Sequence, residues 1–141
     1  MMRWLKIGGA GLAVALVAVQ FFPVARVNPT ERGQPDAPSE VQALLQRACY
    51  DCHSNETGWP WYSYVAPMSL LIARDVDEGR RQFNFSLWSQ FNERRKSRKL
   101  KEIVEQVEKS KMPQWYYVSL HPDAKLSAAD RELIIKWAKQ S

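Results

Sequence analysis

The chain has 141 residues, 45% hydrophobic and 25% charged, with a formal net charge of +5. That length holds one domain plus an extension, and the composition excludes a disordered or collagen-like chain. Arg3, Lys6 and Arg26 flank the first apolar segment; without them 17 basic residues face 15 acidic ones, a near-balance that gives no sign of a nucleic-acid partner.

The N-terminus starts with a short basic region, Arg3 and Lys6, followed by an apolar run from Ile7 to Val19. Apolar character continues through Phe21, Phe22, Val24 and Ala25. Bulky Phe21, Phe22 and Pro23 stand where a signal peptidase needs small residues. The spacing therefore predicts an uncleaved signal anchor over residues 1–25, just long enough to span a bilayer, with its basic end in the cytoplasm. A cleaved signal peptide is the competing reading, and either one exports the remainder.

Residues 26–38 carry Pro29, Gly33, Pro35 and Pro38 among polar neighbours and read as a linker that holds the domain off the membrane. The domain is expected over 39–141. Ser39, Glu40, Val41 and Gln42 form a capping-box pattern, and Val41, Leu44, Leu45 and Ala48 make an apolar helical stripe.

This helix runs into Cys49, Tyr50, Asp51, Cys52 and His53, a C-x-x-C-H sequence. The pattern is that of c-type haem attachment: two thiols for two vinyl groups, and an adjacent imidazole for the iron. Three other readings compete. A thioredoxin-like couple expects a βαβ context, which the pattern lacks. Zinc wants four ligands, and only His121 remains to complete a long-range Cys2His2 set. A plain disulfide between the only two cysteines is the third.

Ser54 to Pro67 is an aromatic-rich loop, with Trp59, Trp61, Tyr62 and Tyr64 as covers for an apolar cofactor edge. Met68 to Glu78 has helical spacing, and Ser86 is a candidate cap for a helix through Leu87, Trp88 and Phe91. Leu100, Ile103, Val104 and Val107 mark another amphipathic helix ending near Ser110. Arg94 to Lys99 is a basic run, either a solvated helix start or a docking patch for an acidic partner or anionic lipid. Ser127 and Asp130 open a last helix with Leu133, Ile134, Trp137 and Ala138 on its buried face. No segment reads as a strand, so the fold class is mainly α.

A six-coordinate iron needs a second axial ligand. Met112 is favoured, because it follows a helix and Pro113 fixes the backbone after it. Met68 and His121 remain candidates. His53 also needs an acceptor for its other ring nitrogen, expected at the carbonyl of Pro67 or a neighbour.

The residues 48–57, Trp59 to Ser63, Ala66-Pro67, Gly79-Arg80, Phe83 to Ser86, Met112-Pro113 and His121 to Ser127 together resemble the haem-binding domain family of exported cytochrome c-like proteins. The resemblance covers roughly 28–140. It implies one covalently bound haem c in a cytochrome c-like helical fold, with the Ser39 and Ser127 helices crossing beside it. The stretch from Pro113 to Ser127 is longer than a simple cytochrome c would use. The resemblance implies the cofactor more firmly than the role; the leading functional reading is single-electron transfer by a membrane-anchored, non-enzymatic haem protein. Its haem domain would face the periplasm or cell exterior, toward an unidentified redox partner. The alternatives are a gas or peroxide sensor or enzyme with a labile sixth ligand, and a haem-free thiol–disulfide protein.

Overall fold

The computed structural model describes the backbone of residues 2–141 and the side chains of residues 8–141. The side chains of Arg3, Trp4 and Lys6, at the basic end of the expected anchor, lie outside the described residues. The described residues form helices and turns with no strand.

Helix α1, Met2–Val19, is shorter than the span expected to Ala25. Among the described residues no helix is long and apolar enough to cross a membrane. The helix stops as Pro23 approaches, and the Gln20 amide ties its end to the domain: Nε2 donates to the Leu16 and Ala66 carbonyls, each at 3.1 Å, and Oε1 accepts from the Ala66 N–H at 3.0 Å.

Residues 26–38, expected to hold the domain at a distance, bond along its surface. Arg26 donates to the Ser63 carbonyl and covers the Tyr64 ring at 4.4 Å. Asn28 donates to the Thr57 carbonyl at 2.9 Å, and the Trp137 indole N–H donates to the Asp36 carbonyl at 3.0 Å. Gly33 passes so near Ser86 that a Cβ would lie 2.6 Å from the Ser86 carbonyl oxygen.

Helix α2, Ser39–Ala48, buries Val41, Leu44, Leu45 and Ala48 as the stripe predicts. The capping box does not form. Pro38 is the N-cap, and the Gln42 amide donates to Pro35 of the strap that crosses in front of the helix. Helix α3, Tyr50–His53, is a separate turn that carries most of the C-x-x-C-H sequence. A 3₁₀ turn at Trp61–Tyr64 precedes helix α4, Met68–Gln82, which runs one turn beyond Glu78. That extra turn includes Gly79, where a Cβ would lie 2.5 Å from the Cys52 carbonyl oxygen. The missing side chain lets α4 rest directly on α3.

Phe85–Gln90 is a 3₁₀ turn capped by Asn84, not a helix capped by Ser86. The Ser86 hydroxyl is already committed to the Asn55 N–H. Helix α5, Glu93–Glu108, takes the basic run into its first two turns under an Asn92 cap. There Arg95 covers the Phe91 ring, Lys96 pairs with Glu93, and Arg98 and Lys99 pair with Glu102. These internal bonds fit the helix-start reading of the run.

Between Pro113 and Ser127, where the pattern predicts no element, lie helix α6, Trp115–Leu120, and a 3₁₀ turn at Pro122–Ala124. Helix α7, Ala128–Gln140, has the predicted capping box. Ser127 Oγ accepts from the Asp130 N–H, and the Asp130 carboxylate accepts from the Ser127 N–H. Its largest packing partner is α5. It also meets α2, where Arg47 and Asp130 pair at 2.9 Å. The core joins Leu45, Phe85, Trp88, Ile103, Ile134 and Trp137; burying one such side chain contributes about 2 to 3 kcal/mol.

Candidate functional site

One cavity of about 520 Å³ opens between α3, α4, α5 and α6. It lies in the usual range for a cofactor pocket. Cys49, Cys52, His53 and Met112 all line it, as do Met68 and His121. Every residue proposed from sequence for attachment or ligation therefore meets in one place. The remaining wall is largely apolar, including Leu71, Ile72, Val76, Phe83, Ile103 and Leu120.

His53 is fixed from behind. Its Nδ1–H donates to the Phe83 carbonyl at 3.3 Å, and its ring stacks on the Phe83 ring with centroids 4.4 Å apart. A backbone carbonyl was the acceptor expected, but it comes from the end of α4 and not from the Pro67 loop. Burial lowers the affinity of His53 for a second proton, against smaller opposing contributions from the Phe83 and Gly79 carbonyls. The result is a neutral imidazole with Nδ1 engaged, which leaves Nε2 as the metal-binding nitrogen.

Cys49 and Cys52 are free thiols. Burial pushes each up to about 12, reinforced for Cys52 by Asp51 and Asp75. Thiols so protonated are poor nucleophiles for disulfide exchange at neutral pH. Among the described residues no group of three or more His, Cys, Asp or Glu side chains is placed to hold a metal ion, so the long-range zinc set is not assembled.

The candidates for the second axial ligand differ in what already holds them. Both His121 nitrogens are engaged: Nδ1–H donates to the Tyr117 carbonyl at 3.1 Å, and Nε2 accepts from the Tyr62 hydroxyl at 2.9 Å. The ring also stacks on Tyr117 at 4.2 Å. Met112 sits just past α5, its N–H donating to the Gln106 carbonyl at 3.4 Å. Met68 opens α4.

The expected aromatic cover is only partly in place. Trp61 and Tyr64 point outward, 77% and 59% exposed, and from that loop Tyr62 and Pro60 reach the cavity. Tyr116 and Tyr117 of α6, which sequence reasoning passed over, supply the cover instead. Tyr117 donates to the Asp51 carboxylate at 2.6 Å and Tyr116 to that of Asp75 at 2.9 Å. Only the double tyrosine hints at them in the sequence; their carboxylate partners are distant along the chain.

A second framework secures the loop after His53. Arg80 donates to the Ser54 and Val27 carbonyls, the Asn28 side chain and the Thr57 hydroxyl. Asn55 is buried, accepts from Asn84 at 2.7 Å and donates its N–H to the Ser86 hydroxyl at 2.9 Å. These bonds give the Arg80, Asn84 and Ser86 positions their physical role.

A family model described as a haem-binding domain matches residues 14–140. No curated protein and no solved structure matches the chain.

Proposed function

The chain belongs to the haem-binding domain family, and on that premise we propose that it is a monohaem c-type cytochrome that transfers single electrons. The observation that carries this reading is the convergence of Cys49, Cys52 and His53 on one cavity of about 520 Å³, with His53 already oriented through Nδ1. Cys49 and Cys52 would hold the porphyrin by two thioethers, and His53 and Met112 would bind the iron. When bound, haem supplies a one-electron ferric–ferrous couple.

The chain's own residues do the rest. Phe83 fixes the ligand tautomer, the apolar wall excludes water, and Tyr116 and Tyr117 close the cavity from α6. A gas- or peroxide-binding role needs an open sixth position; Met112, which lines the same cavity as His53, favours a closed one.

Helix α1 leaves Leu12, Val14, Leu16 and Val17 exposed. This supports its use as the export segment and membrane tether, with the domain on the exported side near its redox partner. The test is electrochemical. A reversible one-electron couple, with a low-spin spectrum that carbon monoxide leaves unchanged, is the expected result. Rapid carbon monoxide binding or peroxide turnover would overturn it in favour of a sensor or enzyme.

A further inference from the structure

We propose that Asp51 and Asp75, each held by a tyrosine hydroxyl in the cavity wall, lower the reduction potential of the bound haem. The inference rests on the haem reading above and adds the residues that tune it.

The described residues lining the cavity include the carboxylates of Asp51, Asp75, Glu78 and Glu102, and no Lys or Arg among them. Glu102 is compensated by Lys99 at 2.6 Å and Arg98 at 3.9 Å. Among the described ion pairs, none includes Asp51 or Asp75. Their partners are neutral donors: Tyr117 and the Gly58 N–H for Asp51, Tyr116 for Asp75. Such donors fix a carboxylate in place without cancelling its charge.

Both carboxylates line the same cavity as Cys49, Cys52 and His53. Burial pushes the two tyrosines upward, Tyr116 to about 12, and the carboxylate that each one touches adds to that push. Reduction removes one positive charge from the iron. A fixed negative charge nearby therefore favours the ferric form, by Coulomb's law and in the same sense as the other levers on haem potential. At about 10 Å and an effective dielectric near 20, one charge is worth on the order of tenfold in the ferric-to-ferrous ratio.

The test uses the haem-loaded full chain as wild type, Asp75→Asn, Asp51→Asn and the double variant, each titrated electrochemically, with its absorption spectrum and thermal midpoint recorded. Asparagine keeps the shape and the hydrogen-bonding capacity while removing the charge. Each single variant is expected to shift the couple upward by about tenfold in that ratio, about 59 mV for one electron, with an unchanged ligation spectrum. Tyr116→Phe, which retains the charge, is expected to shift it much less. A loaded Asp75→Asn protein with a native spectrum and an unmoved potential overturns the proposal. This arm stands even if substitution inside the C-x-x-C-H sequence reduces loading. A wild-type chain that carries no covalent haem overturns the underlying reading, and this inference with it.

Discussion

His53 both donates Nδ1–H to the carbonyl of Phe83, at 3.3 Å, and stacks on that residue's ring, with centroids 4.4 Å apart. One residue at the end of α4 thus sets the imidazole's tautomer and its plane. Because α4 is held against α3 at Gly79, the position of a helix thirty residues downstream determines how the ligand is aimed.

The close approach at Gly79 predicts a large cost for a small change. A Cβ there meets the Cys52 backbone at 2.5 Å, which no flexible side chain can relieve. Gly79→Ala should destabilise the fold by about 1 to 3 kcal/mol, the usual cost of overpacking. Denaturant unfolding measures it, and a perturbed haem spectrum should accompany the loss, because the substitution moves α3.

Arg80 joins four partners on the strap and on the loop after His53. Its removal leaves two carbonyls without a charged donor. Arg80→Ala should cost about 2 to 4 kcal/mol in chemical denaturation. Arg80→Lys should restore little of it, because an ammonium lacks the planar fork that reaches all four groups.

The sixth-ligand candidates separate by substitution. Met112→Ala should leave covalent haem in place but convert it to a high-spin, carbon monoxide-binding form. His121→Ala should leave the low-spin spectrum intact, because both of its nitrogens already serve Tyr62 and Tyr117. A high-spin His121→Ala with a low-spin Met112→Ala would reverse the assignment.

Asp130 gives a pH dependence of defined sign. The Ser127 N–H, then its hydroxyl and Arg47, hold the Asp130 carboxyl below its ordinary 3.8. A carboxyl depressed by folding contributes stability that is fully present above the unfolded value and is lost as pH falls through the folded one. Asp130→Asn should therefore cost about 1 kcal/mol or less at neutral pH, the scale of an exposed helix cap. Variant and wild type should converge in acid. Thermal melts across pH 2 to 7, as a design range of roughly that width, measure the difference.

What the sequence revealed and what it hid follow a physical division. Local signals held where nothing competed: the Ser127–Asp130 box formed, and the stripe through Leu44 and Leu45 is buried. The same kind of box at Ser39 failed because Gln42 found the Pro35 carbonyl on a strap that local pattern does not place. Helix α6 was invisible for a related reason. None of its residues is fully buried, so it carries no strong apolar period, and Asp51, Asp75 and Tyr62 hold it from three other elements. The attachment residues were legible because their spacing is itself the chemistry. The acceptor for His53 was not, since Phe83 reaches it only through the packing of α4 on α3.

The most direct test of the central claim is whether haem stays with the chain after denaturation and acid–acetone extraction, using protein exported from a host with haem-attachment machinery. The account predicts that wild type retains its haem absorbance, that His53→Ala retains it with altered ligation, and that the Cys49→Ala, Cys52→Ala double variant loses it entirely. Haem extracted from wild type, or covalent haem retained by the double variant, would contradict it.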